Sequence, residues 1–390
     1  MVVSARGATR LAGGHPWVYR SDVVSAQASA GDLVAVHDRR GRRLGTAFYS
    51  NASEIALRLL SARAVSEGDL AALLKRRIEQ AIAHRRQVVR DSDACRLVFS
   101  EADSLPGLIV DRYHDVLSLQ ALTQAMDREP VRQTVLETLL EQTTPAGIVE
   151  RVEPRIRQLE KLPPAADRLL AGGKTATAFT MNGVRFHYDG LAGQKTGAFL
   201  DQRENYAAAG TYAHGDALDV FCYQGGFALH LAPSCRSVTG VDSSRPALEV
   251  AERNATLNRA EGRPEIEWIE ANAFDLLKDY AAAGRQFDTI VLDPPAFARS
   301  RRSLPTALRG YKEINLRALK MLRAGGILVT CSCSYHVSEA EFLEMLRAAA
   351  GDARRAVRVL ERRGQAKDHP IALSVPETAY LKCLILSVSD

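Results

Sequence analysis

The chain has 390 residues, 46% hydrophobic and 25% charged, which supplies a sizeable core and excludes a disordered chain. At roughly 150 residues per domain the length favours two or three domains. No apolar run approaches the ~20 residues that cross a bilayer and no signal-peptide pattern opens the chain, so a cytoplasmic protein with no membrane partner is expected. The 51 Lys and Arg against 46 Asp and Glu give only +5, but residues 1–100 hold 16 and 9, a local +7, while the other 290 hold 35 and 37, which is −2. Such asymmetry points to a polyanion-docking module beside a near-neutral catalytic body.

Residues 1–65 read as short strands at 33–36, 44–49 and 55–60, with four arginines crowded into the turn 38–43. Short strands with polar, Gly-containing turns predict a small β-barrel. Over 67–90 the period changes: Leu70, Leu73, Leu74, Ile78 and Ile82 mark an amphipathic helix, with Lys75, Arg76, Arg77, Arg85 and Arg86 off its apolar stripe. Residues 95–180 mix strands (97–99, 108–111, 116–122, 148–151) with a helix at 128–141, and Pro163-Pro164 and Gly172-Gly173 punctuate the end. From about 215 strands at 217–222, 237–242, 266–270, 287–292, 327–332 and 381–388 alternate with helices such as 246–258 and 308–322. That alternation predicts a mostly parallel sheet with helices on both faces.

Four segments carry chemistry, each at the end of a predicted strand. In Asp219-Val220-Phe221-Cys222-Tyr223-Gln224-Gly225-Gly226-Phe227 the glycines let backbone approach a ligand closely. The diphosphate pattern GxGxxG is absent, which disfavours a nicotinamide oxidoreductase. Asp242, 23 residues after Asp219, stands where an acid accepts both ribose hydroxyls of a nucleoside, although a helix cap is the plainer use of an Asp there. Together they suggest a nucleoside ligand without a diphosphate, which S-adenosylmethionine satisfies. Asp293-Pro294-Pro295-Ala296-Phe297 ends a strand in a rigid loop, with Asp293 offered to a base edge and Phe297 to a base face. Thr330-Cys331-Ser332-Cys333-Ser334 places a thiol at the same sheet edge, where an activated thiolate is a nucleophile. The six cysteines otherwise lie scattered, without CxxC or zinc-finger spacing, so reduced thiols and no metal are expected.

In this order the four segments resemble a class I S-adenosylmethionine-dependent methyltransferase. The chain is similar over essentially its whole length to a narrower family, the bacterial 23S rRNA cytosine-C5 methyltransferase I type. The resemblance is carried by His15-Pro16-Trp17-Val18-Tyr19, 45–50, Ser104-Leu105-Pro106-Gly107-Leu108, Lys195-Thr196-Gly197, Leu200-Asp201-Gln202-Arg203, 293–297 and Ser332-Cys333-Ser334. It implies an α/β chain in three parts: a PUA RNA-binding barrel over 1–68, a linker helix and small α+β middle domain over 69–178, and a Rossmann-like methyltransferase domain with an entry β-hairpin over 179–390. It implies Cys333 and Asp293 as catalytic residues. It assigns cofactor contacts to Asp201, Gln202, Arg203, Phe221, Tyr223, Gly225, Gly226, Asp242, Asn272, Ala273 and Asp293. Pro294, Pro295, Phe297, Arg299 and Arg301 fall to the substrate side. Two positions depart from the pattern: Asn272 stands where Asp is common, and Cys331 where an aromatic is familiar. The proline loop carries Ala296 rather than a second cysteine.

The expected function is methylation of cytosine C5 in 23S rRNA through a covalent adduct of Cys333 with C6, using S-adenosylmethionine. Carbon methylation of cytosine needs that activation, whereas N-methylation does not. Two readings stay open beside it: N-methylation of an rRNA or tRNA base by the same fold, and a non-catalytic RNA-binding ribosome-assembly factor. The partner is RNA, and a homodimer is left open. Basic patches are expected on residues 1–100 and at Arg299, Arg301 and Arg302.

Overall fold

A computed structural model describes residues 1–192, 197–261, 263–298 and 300–389. The chain forms two compact units. One comprises Met1–Phe179 with Tyr188–Gly197 and Lys367–Thr378; the other comprises Thr180–His187, Ala198–Ala366 and Ala379–Asp390.

The first unit contains two sheets. Trp17–Tyr19, Ile55–Ser61, Arg43–Tyr49, Leu33–His37, Val2–Val3 and Val23–Ser25 lie in that order in a six-stranded sheet around Val3, Val18, Val36, Ala47 and Leu57. A short helix, Ala5–Ala12, joins it, capped by the Ser4 hydroxyl on the Gly7 amide. Its eight residues are fewer than the window over which a helical period can be read in sequence. The five-stranded sheet runs Arg168–Gly172, Gly147–Glu150, Val116–Ala121, Leu108–Tyr113, Ala94–Phe99. The helices Glu67–Val88 and Glu129–Thr143 share its apolar core.

The Glu67–Val88 helix has the expected apolar stripe, but its cations are less available than the sequence suggests. Arg85 is 1% exposed. Its guanidinium grips both Asp103 oxygens at 2.5 and 2.7 Å and donates to the Arg96 and Asp368 carbonyls, each at 2.9 Å. Arg77 donates to the Ser104 and Leu60 carbonyls, and Lys75 pairs with Glu141. Length explains the outcome: an arginine bordering an apolar stripe reaches over it and satisfies backbone oxygens that would otherwise be buried without a donor. Arg39 and Arg40 in the barrel turn remain exposed. That turn is fixed by Asp38, whose Oδ1 accepts from the Arg40 and Arg42 amides at 2.9 Å each as an Asx turn.

The second unit is built on a seven-stranded sheet of β1 (Asp216–Val220), β2 (Ser237–Asp242), β3 (Ile266–Glu270), β4 (Phe287–Leu292), β5 (Leu322–Ser332), β6 (Ala356–Arg363) and β7 (Lys382–Ser389). Their spatial order is β3-β2-β1-β4-β5-β7-β6. β1 to β5 are parallel and β7 runs antiparallel between β5 and β6. β6 was not anticipated, because its alternation is broken by Arg358, Glu361, Arg362 and Arg363 on an edge strand open to water. The helices Ala273–Ala282, Leu304–Met321 and Glu339–Ala353 pack one apolar cluster with the strands. The order reverses between β1 and β4. With right-handed crossovers, the connections from the two strands leave toward opposite faces and open a crevice at their carboxyl ends.

Replacing Arg85 by Met strands the Asp103 carboxylate in a nearly buried position. Urea denaturation of the full chain should show a loss of roughly 3 kcal/mol or more.

Candidate active site

Strand β1 ends in a strained turn. Phe221 (φ +67°) and Tyr223 (φ +49°) occupy the left-handed region, as does Gly225 (φ +84°). Non-glycine residues hold such backbone only where the surroundings impose it, which is common at ligand sites. A Cβ on Gly226 would come within 2.5 Å of the Tyr206 ring, and one on Gly225 within 2.8 Å of Trp268. The turn is tied to the next strand by Asp242, whose carboxylate accepts from the Tyr223 amide and the Ser244 amide, each at 2.9 Å. Asn272 caps the helix Ala273–Ala282, its Oδ1 accepting from the Phe274 and Asp275 amides, which leaves its Nδ2 as the group offered outward.

The carboxyl ends of β1 and β4 gather acids. Asp219 is fully buried; Oδ2 accepts from the Ala228 amide at 2.8 Å and Oδ1 has no partner among the described residues. Burial pushes its carboxyl up to about 8, with Asp293 and Asp242 adding to the rise. Asp293 is pushed up to about 7, first by burial and then by the Asp201 carboxylate, against the Gln202 amide that donates to its Oδ1 at 3.0 Å. Asp201 in turn accepts from the Tyr380 hydroxyl at 2.7 Å. Asp219 and Asp293 are thus raised by burial together with the carboxylates around them, in a site short of positive charge.

Cys333 follows the end of β5, half-buried, with Sγ 3.9 Å from the Pro294 carbonyl oxygen of the proline loop. Burial pushes the thiol up to about 12, Asp293 and Asp201 add to the rise, and Lys382 opposes it. The resting thiol is therefore protonated at neutral pH. The segment is braced by a buried hydroxyl chain: Tyr311 Oη lies 3.0 Å from both Ser332 Oγ and Ser334 Oγ, and Ser334 Oγ accepts from the Ala298 amide at 3.1 Å. This chain fastens the strand end carrying Cys333 to the loop carrying Asp293. Sequence reasoning missed Tyr311, Tyr380 and Lys382, which arrive from distant segments; Ser332 and Ser334 were visible as the flanks of Cys333.

Several anticipated side chains have other occupations. Phe297 is half-buried and packs against Tyr311 and Phe274, with ring centroids 4.6 and 5.9 Å away. Pro294 is buried, while Pro295 and Arg301 are exposed. Gln202 links Asp293 to Asn205 Nδ2, 2.6 Å from its Oε1. Arg203 is 2% exposed; its carbonyl accepts from Asn182 and its guanidinium lies 3.8 Å from Glu204. Cys331 is wholly buried opposite Cys383 in the strand register, facing Asp293 and Gln202. Lys195, Thr196 and Arg299 lie outside the described residues.

Comparison with known proteins agrees with this geometry. A family model described as S-adenosylmethionine-dependent methyltransferase matches residues 102–386, and one described as PUA-like domain matches residues 1–62. Fold and site thus define an S-adenosylmethionine-dependent methyltransferase with a PUA-like N-terminal domain. A solved methyltransferase complexed with SAH superposes with a TM-score of 0.84 at 18% identity over 99% of both chains, and one from Streptococcus mutans with 0.82 at 18%, also over 99% of both. Curated relatives narrow the class. Ribosomal RNA large subunit methyltransferase I of Shewanella denitrificans is 38% identical over 96% of this chain and 95% of its own, and that of Tolumonas auensis 38% over 95% of each. The chain belongs to the ribosomal RNA large subunit methyltransferase I family.

The acid-rich crevice suits this cofactor, which carries a sulfonium and an ammonium. A bound cation favours the ionised form of Asp219 and Asp293, which hold protons in the free protein near pH 7. S-adenosylmethionine should therefore bind with net proton release at pH 7, and S-adenosylhomocysteine, lacking the sulfonium, with less. Calorimetry in buffers of different ionisation enthalpy measures both. Equal release would show that the sulfonium does not act on these acids.

Proposed function

We propose that this enzyme methylates C5 of a cytosine in 23S rRNA, with Cys333 as a nucleophile toward C6. The observation that carries the reading is the contact of Cys333 Sγ with the Pro294 carbonyl, one residue along from Asp293. It sets a thiol beside a carboxyl whose protonation is balanced near neutrality. In this reading Asp242 accepts the ribose hydroxyls, Asn272 and Ala273 meet the adenine edge, and the turn Phe221, Tyr223, Gly225 and Gly226 admits the amino-acid end of the cofactor. Asp201, Gln202 and Arg203 form the segment next to it, with Gln202 holding Asp293 in place.

The chemistry follows from the two proton holders. The thiol proton passes to the ionised Asp293, and the thiolate adds to C6 of the base. The C5–C6 π pair shifts to C5 as Asp293 delivers that proton to N3. The cofactor, when bound, supplies an electrophilic methyl group to this carbon. The C5 proton then passes to solvent water, its electron pair restores the C5–C6 double bond as the C6–S bond breaks, and the N3 proton returns through Asp293 to the departing thiolate. Holding Asp293 as an acid near neutral pH, by burial and a neighbouring carboxylate, is what lets one side chain accept and return the same proton. An N-methylating enzyme has no use for this pairing.

Cys333→Ala should lower methyl transfer from labelled S-adenosylmethionine to 23S rRNA by at least 100-fold on the scale of covalent catalysis, with cofactor affinity unchanged, and 5-methylcytosine should be absent by nucleoside mass spectrometry. Wild-type activity in that variant overturns the covalent reading. Docking draws on sequence-independent phosphate contacts from the PUA-like domain, where Arg39 and Arg40 are exposed and free of side-chain partners among the described residues. Replacing both with Ala should weaken RNA binding and reduce the slope of log K against log salt by about 2, as read by fluorescence anisotropy across a salt series.

A further inference from the structure

The segment around Cys333 is held from a second side. Lys382 opens β7 directly opposite Ser332 in the register. Its Nζ donates to the carbonyls of Ser334 at 2.7 Å, Val337 at 2.8 Å and Tyr380 at 2.9 Å. All three ammonium protons are thus used on the turn after Cys333 and on β7's own approach. No carboxylate lies within ion-pair distance of Nζ among the described residues.

The acids that act on Lys382 from the adjoining helix are Glu339 and Glu341, and both have other partners. Glu341 accepts from the Ser338 amide at 2.8 Å and hydroxyl at 2.6 Å, with Arg301 also acting on it. Glu339 lies 3.5 Å from Arg362. A neutral donor would staple a turn without the cost of desolvating a charge, so an ammonium here calls for a further electrostatic role. The titratable groups that face Cys333 are Asp293, Asp201, Tyr311 and Lys382. Only Lys382 among them favours an anionic sulfur.

We propose that Lys382 is a positioning residue for Cys333, fixing the turn that follows it and supplying the cation that stabilises its thiolate. The proposal rests on the reading of Cys333 as the nucleophile. It also accounts for the state of Lys382 itself, drawn down to about 8 by burial while Cys333 is the first of the groups that pull it back up.

The test is the pH profile of Cys333 alkylation by iodoacetamide in the full-length protein, followed on the peptide containing Cys333 by mass spectrometry. The other five cysteines are buried. Lys382→Gln keeps hydrogen-bond donors and removes the charge; Lys382→Arg keeps both. Lys382→Gln should slow alkylation about tenfold at a given pH below 8, where Lys382 carries its charge, with the difference closing as Lys382 itself loses its proton above that. It should lower kcat by a similar factor with KM for RNA within threefold, while Lys382→Arg restores most of both. Folding is checked by S-adenosylmethionine affinity, and Lys382→Met carries the same test if the Gln variant is unstable. An unchanged alkylation profile in the charge-free variant overturns the assignment. Failure of the underlying reading looks different: Cys333→Ala would then methylate RNA at the wild-type rate whatever the profiles show.

Discussion

Strands β1 and β4 lie side by side and parallel, yet the chain leaves them toward opposite faces of the sheet. The crevice this opens determines most of what the catalytic unit can do. No helix can fill it, because right-handed connections carry the helices away on either side. Into it project the ends of the strands and the residues next to them: the strained turn after β1, Asp242 at the end of β2, the proline loop after β4 and Cys333 after β5. The site is an outcome of strand order, and each reactive group sits where a strand stops.

Placing so many acids in one crevice would destabilise the fold if all were ionised. The structure handles this by protonation: burial and mutual repulsion hold Asp219 and Asp293 up at about 8 and about 7. A cationic cofactor relieves the same repulsion, so affinity and acid–base poise have one physical origin. The thiol of Cys333 experiences the opposite consequence. Carboxylates that welcome a sulfonium oppose a thiolate, and burial opposes it further. A nucleophile in such surroundings needs either a local proton acceptor or a local cation, the roles in which Asp293 and Lys382 are proposed.

The basic excess of the first hundred residues divides unevenly when seen in three dimensions. Arg85, Arg77 and Lys75 are engaged with Asp103, backbone carbonyls and Glu141, which turns apparent RNA-binding charge into structural support. The turn at Asp38 does the reverse: its acid is used to shape the backbone and its flanking Arg39 and Arg40 stay in solvent. Net charge over a window therefore overstates the available docking surface, because it cannot distinguish a guanidinium that caps carbonyls from one that meets water.

Much was legible in the sequence alone. Hydrophobic pattern located β1 to β5, since β1, β4 and β5 are largely buried apolar runs while β3 interleaves apolar and acidic residues. The reactive segments were readable because glycines, prolines and a strand-end cysteine are local signals whose meaning depends on their own neighbours. What the sequence could not decide were partnerships between distant segments. The packing of Phe297 against Tyr311 and Phe274 could not be read from the loop itself. Nothing in the segment Leu200-Asp201-Gln202-Arg203 showed that Arg203 is buried. Lys382, Tyr380 and Tyr311 carry no motif, and only the antiparallel insertion of β7 beside β5 and the packing of the Leu304–Met321 helix bring them to Cys333. Burial and through-space charge depend on three-dimensional neighbours, so the protonation states that give this site its chemistry belong to the tertiary structure, while the identity of the groups that titrate was written in the chain.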